Sequence, residues 1–431
     1  VTVPSENKLT IAIIGAGIVG LCAALEVQRD GHDVIIVEPD EAGGRQAASY
    51  GNGTWLNPSS VLPMSTPGLW KQVPGFLLDP NGPFIIRWRY LPSLAGWLIR
   101  FVLAGRTWQQ IEACAAQRYE LSRTTAQDHA ALAQEAGHPK LIRQNGLMFI
   151  YPGQADIDAE SQAWQLRKNL GIRFRKVETA ELRQRVPELD DSYTLGMQVD
   201  DGGQVVDPNA YCSALFQLAL RRGATHKKAR ATGFSFNGNR LSAVLTDGEP
   251  VPCDRAVIAA GVRSRDLALK AGDDVPLISE RGYHVVIPDP GFDIPTGLMP
   301  SDGKMGVIWT PQGLRLAGQV ELASLDAPPN WGRAKILLNY VRRIFPALAT
   351  KADQVEKSIG SDNYWMGHRP STPDGLPCIG AASGSPDIFH AFGHGHVGLI
   401  QAPASGKLVA ALIAGREPGY DATPFSARRF A

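Results

Sequence analysis

The chain is poor in cysteine and has almost no excess charge. Its five cysteines, Cys22, Cys114, Cys212, Cys253 and Cys378, are spread over 431 residues without a CxxC pair. An odd, dispersed set argues against a disulfide framework and a cysteine zinc site, and it suits a reducing compartment. A formal charge of +1 gives no basic face for nucleic acid. Long apolar runs are also missing. Val1 to Lys8 is polar and has no signal-peptide core. The most hydrophobic helix candidate, Leu91 to Ala104, is too short to span a bilayer and is interrupted by Arg100. It suits a half-buried helix, or one that rests on a membrane surface through Trp97, Leu98 and Phe101. There is no fixed-period repeat. The length leaves room for two domains or more.

What is present is concentrated at the start. An apolar run, Leu9 to Ile14, meets Gly15-Ala16-Gly17-Ile18-Val19-Gly20. An Ala/Leu-rich stretch follows to Asp30, then a second apolar run, Val34 to Val37, ending at Glu38. The pattern is strand, glycine turn, helix, strand, acid. Gly15 permits the tight turn, Gly17 lets backbone approach a pyrophosphate, and Gly20 lets helix and sheet pack closely. The helix N-terminus aims free N–H groups at phosphate. Glu38 stands where a carboxylate reaches a ribose hydroxyl pair, which favours FAD or NAD over NADP.

A second glycine-rich stretch, Gly43-Gly44-Arg45 to Gly53, carries polar side chains at Gln46, Ser49 and Asn52. So many small residues suit backbone passing close to a flat ligand. Residues Pro58 to Arg106 read as an irregular insertion. Helical spacing covers Gln109 to Ala136, Gln162 to Leu170, Thr179 to Arg185 and Asn209 to Arg221. Strands are expected at Leu147 to Tyr151, Ala229 to Phe236, Leu241 to Thr246 and Asp254 to Ala260, the last ending in a small-residue turn at Gly261. From Pro276 to Gln354 several runs alternate apolar and polar residues, as in an antiparallel sheet. A helix from Ala334 to Ile344 follows. Near the end, the strand Ile388 to Phe392 enters Gly393-His394-Gly395-His396-Val397-Gly398-Leu399, and a helix is expected from Pro403 to Ala414.

Together the N-terminal fingerprint with Glu38, the Gly43-Gly44-Arg45 turn, the Ala259-Ala260-Gly261 turn, Trp365-x-Gly367-x-Arg369-Pro370-x-Thr372-Pro373-Asp374 and Gly393-His394-Gly395-His396-x-Gly398-Leu399 resemble the FAD-dependent D-amino-acid oxidase superfamily. Within it the chain is similar to D-amino-acid dehydrogenases of the small-subunit type, including hydroxyproline-related members. The resemblance covers nearly the whole chain. It implies an α/β protein in which a Rossmann-like FAD domain (1–85, 190–272 and 362–431) is interleaved with a mixed antiparallel-sheet substrate domain (86–189 and 273–361).

The resemblance also implies roles. Gly15, Gly17, Ile18, Gly20, Glu38 and Pro39 would hold the dinucleotide, with Arg230 on the adenine side and Ala260 and Gly261 close by. Gln46, Ala47, Gly51, Asn52 and Gly53 would pass the flavin, and His394, Gly395, His396, Val397, Gly398 and Leu399 would lie at its ring. Arg369 would clamp the substrate carboxylate, because its planar fork makes two parallel charge-assisted bonds. A salt bridge from Arg369 to Asp374 is the structural alternative. Tyr283 would add a second bond to the carboxylate. Relatives carry arginine where His396 stands; here a histidine could assist amine deprotonation, or merely shape the loop. The implied reaction is hydride loss from the substrate Cα, then hydrolysis of the imino acid to a 2-oxo acid, with noncovalent FAD as acceptor and quinone or another carrier after it.

Three alternatives stay open. One is an oxygen-using oxidase of glycine, sarcosine or another secondary amine. Another is a flavin-carrying subunit of a multi-chain dehydrogenase. A nicotinamide dehydrogenase would leave the C-terminal motifs without a task. His394-x-His396 makes a poor metal site, and none is expected. Expected partners are an amino acid, an electron acceptor, and a second copy or another protein chain. The expected location is the cytoplasm, with a peripheral contact on the inner membrane face.

Overall fold

The computed structural model describes residues 8–68, 82 and 84–431. The reading of the extreme N-terminus and part of the 58–106 insertion lie outside these residues. Six strands form the first sheet, in the order Thr225–Lys227, Asp33–Val37, Thr10–Ile14, Arg255–Ile258, Ser385–Phe392 and Cys378–Ala382. The first five run parallel and the last is antiparallel. Strands Thr10–Ile14 and Arg255–Ile258 are buried almost throughout, because helices cover one face and the antiparallel strands Ala231–Asn237, Arg240–Thr246 and Val251–Pro252, with the helix Ser264–Lys270, cover the other.

Two helices pack on one face of this sheet. Ile18–Arg29 follows the glycine turn, and Gly398–Ile413 crosses it. The contact is backbone-close at Gly406, where a Cβ would sit 2.8 Å from Cys22 carbon. The second helix begins five residues earlier than the sequence suggests, with Pro403 inside it. Proline has no N–H to give the carbonyl one turn back. That carbonyl, on Leu399, instead accepts from His129 Nε2 at 2.8 Å, while His129 Nδ1 meets the Tyr211 hydroxyl at 2.9 Å. A distant helix thus repairs the gap, and His129 is fully buried.

A larger sheet lies beside it, in the order Tyr364–Ser371, Ile278–Ile287, Gly313–Leu322, Gly306–Thr310, Gly297–Pro300, Leu147–Tyr151, Leu195–Val199 and Phe174–Val177; Phe84–Ile86 also pairs with Gly313–Leu322. It is mixed but mostly antiparallel. Helices Gly332–Ile344 and Ala349–Lys357 close an apolar core against one face. Two of these strands, Leu195–Val199 and Tyr364–Ser371, fall outside the segments 86–189 and 273–361 expected for the substrate side, and Phe84–Ile86 straddles the first boundary. The single helix expected over Gln109 to Ala136 is two, Trp108–Ser122 and Thr125–Glu135. The first starts at a capping box between Thr107 and Gln110. In the helix Leu91–Ala104, Leu94 and Trp97 face inward and Trp97 stacks on Phe101. Ile99 and Leu103 are the exposed apolar residues there.

Candidate active site

The first glycine turn is built by contacts that tolerate no side chain. Gly15 has φ +108°, and a Cβ on it would lie 2.5 Å from the Ala259 carbonyl oxygen. On Gly20 a Cβ would lie 2.0 Å from the Gly15 oxygen. Gly17 differs. Its nearest neighbour would be Ser49 Oγ at 3.5 Å, an ordinary contact. Packing therefore demands Gly15 and Gly20, whereas Gly17 leaves backbone bare for a ligand. No N-cap side chain closes the helix Ile18–Arg29, though Ser49 Oγ accepts from the Ile18 N–H at 3.0 Å. Glu38 ends the next strand, with one carboxylate oxygen accepting from Ala16 N at 2.9 Å and the other from Asp40 N at 3.2 Å. Each oxygen keeps a further lone pair for a hydroxyl. Pro39 follows, half-buried. Arg230 is exposed in the segment beside Glu38, where Lys227 O accepts from Glu38 N. Gly261, at φ +58°, turns the chain just past Ala260.

This cradle fits the adenosine and pyrophosphate of FAD. The donor set is right, and no packing contact among the described residues requires Gly17 to be glycine. The helix Gly398–Ile413 supplies a second N-terminus without a side-chain cap, led in by Gly395 and Val397.

The 43–53 turn serves more than a ligand. Gly43 at φ +65° packs on Cys212, and a Cβ on Gly51 would lie 2.1 Å from the Trp365 indole. Trp365 Nε1 donates to the Arg45 carbonyl, and its ring stacks on His284, whose Nδ1 meets the Gly51 carbonyl at 2.9 Å. Gly51 is therefore glycine because of an indole. Gln46 is exposed and donates to the Glu41 carbonyl. Ala47, Asn52 and Gly53 are half-buried on the same turn.

Arg369 stands on the edge strand of the large sheet, directly opposite Glu280; Gly367 faces Gly282 and Trp365 faces His284. Alternation puts these six residues on one face. Arg369 Nη1 donates to Glu280 Oε1 at 2.9 Å and to the Gln319 carbonyl at 3.0 Å. Gln319 reaches it through a β-bulge, at φ +64°. Glu280 is 1% exposed, and its other oxygen accepts from Ser371 Oγ at 2.8 Å. Both anchors use Nη1, so the Nε/Nη2 edge keeps the two parallel donors that a carboxylate takes. Gly282 makes room: a Cβ there would lie 2.3 Å from Nη2. The alternative pairing of Arg369 with Asp374 does not form; Asp374 is held by Arg429 at 2.7 Å.

One expected role needs correction. Tyr283 points to the opposite face, into the helix-covered core, where its hydroxyl donates to Glu321 and accepts from Asn330 N. It stands away from Arg369 because neighbouring strand residues face opposite ways. His394 is buried, bonded to Ser405 Oγ at 2.8 Å, and burial pushes its ring down to about 3. His396 lines the cleft and is exposed there, and the surrounding cleft walls and the charges of Arg118 and Arg369 lower its proton affinity. It is neutral at pH 7 and no second cation.

A cleft beside Glu280 is lined by Glu280, Ser371 to Gly375, Gly393 to His396, Arg118, Phe101 and Pro63 to Ser65. Glu280, Arg118 and Gln319 were not singled out by sequence, and Trp365 stood in the quoted motif without a role of its own. Only the alternation around Gly282 could have pointed to Glu280.

A dinucleotide cradle on one sheet and an arginine with an open Nε/Nη2 edge on the next fit a flavin-type oxidoreductase. Residues 10–412 match the family model described as FAD dependent oxidoreductase. The chain is 46% identical to a D-amino-acid oxidase of Bradyrhizobium diazoefficiens over 420 residues, 97% of this chain and 98% of that one. It is 29% identical to D-amino acid dehydrogenase 2 of Ralstonia nicotianae, covering 98% and 100%. In fold it is similar to L-proline dehydrogenase from P. horikoshii, with a TM-score of 0.73 and 18% identity over 98% of each chain. Glycine oxidase from Geobacillus kaustophilus gives 0.70 and 20% identity, covering 97% and 98%. The chain belongs to the family of FAD-dependent oxidoreductases, and FAD is its cofactor.

Proposed function

We propose that the protein catalyses oxidative deamination of a D-amino acid. The observation that carries this reading is the free Nε/Nη2 edge of Arg369, held by Glu280 and Gln319 on the sheet face that meets the glycine loops. Bound FAD would supply the acceptor for one hydride, which carries the two electrons of the oxidation. The chain's own task is orientation. Arg369 fixes the carboxylate, Gly282 lets the guanidinium lie flat, and the neutral His396 lies in the same cleft without adding charge beside the amine. The names of the Bradyrhizobium and Ralstonia relatives support the D-amino-acid substrate.

Electrons then pass to a quinone or another carrier. Oxygen is the second reading, favoured by the relative named an oxidase. We place the protein in the cytoplasm; a peripheral membrane contact would use Ile99 and Leu103 rather than Trp97. Arg369→Lys keeps the charge but loses the fork. It should bind FAD as before and lose roughly 100-fold or more in kcat/KM, mostly through KM. An unchanged kcat/KM removes Arg369 from the clamp.

A further inference from the structure

One cation in the cleft has no task in that clamp. Arg118, on the helix Trp108–Ser122, lines the cleft and is 1% exposed. Its Nη1 and Nη2 donate to the carbonyls of Gly375 and Ser60 at 3.3 and 3.2 Å. Its Nε has no acceptor, and none of its bonds goes to a carboxylate. A buried charge without a counter-charge is costly.

Charge pairing in the cleft leaves Arg118 over. Glu280 is matched by Arg369, and Asp374 by Arg429. His396, which feels both Arg118 and Arg369, is neutral. Among the described residues, Arg118 is the cleft-lining cation left without a hydrogen-bonded carboxylate, with Glu280 and Asp374 near enough to favour its charge. Among the described residues, Arg167 and Arg315 are also buried with no carboxylate bonded to them. Arg167 lies over the Trp164 ring at 4.5 Å, and Arg315 faces the carbonyls of Tyr50 and Asn52. Neither lines the cleft.

We propose that Arg118 determines specificity by binding an anionic group on the substrate side chain while Arg369 holds the α-carboxylate. The substrate class is then D-amino acids with a side-chain carboxylate, such as D-aspartate and D-glutamate. This rests on Arg369 as the clamp. Nε gives the charge-assisted donor, and the buried setting strengthens it.

The test compares D-aspartate, D-glutamate and D-alanine on the wild-type holoenzyme, Arg118→Met and Arg118→Lys. The wild type should prefer the acidic pair. Arg118→Met should lower the ratio of kcat/KM on that pair to kcat/KM on D-alanine on the order of 100-fold. Arg118→Lys should recover part of the loss. Equal losses on all three substrates, or no wild-type preference for the acidic pair, would overturn the proposal. Shifts of the flavin spectrum on adding succinate or propionate read the same site without turnover. Tighter binding of succinate, lost in Arg118→Met, supports Arg118 even if no D-amino acid is oxidised, the outcome that would sink the clamp reading instead. Equal binding of the two acids by wild type overturns the proposal, whether or not Arg118→Met retains FAD.

Discussion

Removing Glu280 should misplace Arg369 without unfolding the protein. Glu280 is the anion that holds Nη1, and it is 1% exposed. Breaking a fully buried pair costs about 3–5 kcal/mol. Here the Arg369 side chain is 23% exposed. Water from the cleft can replace part of the lost bond, so Glu280→Ala should cost about 1–3 kcal/mol of stability. The kinetic effect should be larger relative to its cause. A shift of about 1 Å in a positioning group costs roughly 100-fold. Glu280→Gln keeps an oxygen for Nη1 but loses the charge, so a loss of roughly 10-fold is expected. The assay is anaerobic flavin reduction followed by stopped flow, with a thermal melt beside it. The affinity of a simple carboxylate inhibitor should fall in parallel with the rate. If Glu280→Ala reduces its flavin within about threefold of wild type, Arg369 is not positioned by Glu280.

Other consequences follow from the same contacts. Gly17→Ala should fold normally and bind FAD more weakly, whereas Gly20→Ala, with its Cβ 2.0 Å from the Gly15 oxygen, should melt lower even without FAD; FAD titration and apoprotein melts separate them. Tyr283→Phe should lower the melting temperature, since Glu321 and Asn330 lose a buried partner, yet leave kcat/KM within about threefold; a large kinetic loss would return Tyr283 to the site. Acid should destabilise the protein early. His129 and His394 are held neutral by burial, at about 4 and about 3, below the ordinary 6.5. The unfolded chain takes up protons that the folded chain refuses, so their contribution is whole above pH 6.5 and falls as pH drops toward 4, by roughly 1.4 kcal/mol per unit for each ring. Denaturant melts from pH 7 to 4.5 should show this slope, and His129→Gln should flatten it.

The two glycine turns were legible because each needs a strand before it and a helix after it, and local spacing records both. Arg369 was legible from the motif around it. Its partners were not. Glu280 lies 89 residues away in sequence and meets Arg369 only through strand pairing. Tyr283 was misjudged because residue type alone does not say which face of a strand looks at the ligand. One step along the chain, Gly282 marks the right face, since only a guanidinium lying over it forbids a side chain. Pro403 misled for a related reason: proline usually opens a helix, but here His129, from far up the chain, takes the carbonyl that proline leaves free. Trp365 filled space that the sequence reading had assigned to a ligand.

The most direct test is the visible spectrum of the purified protein, taken anaerobically before and after adding D- and L-amino acids, glycine, sarcosine and proline derivatives. A flavin band bleached by a D-amino acid and untouched by its L-enantiomer is the predicted result, and readmitted air then shows whether oxygen is the acceptor. A protein that holds FAD but is bleached only by L-amino acids, or by none of the panel, would contradict it.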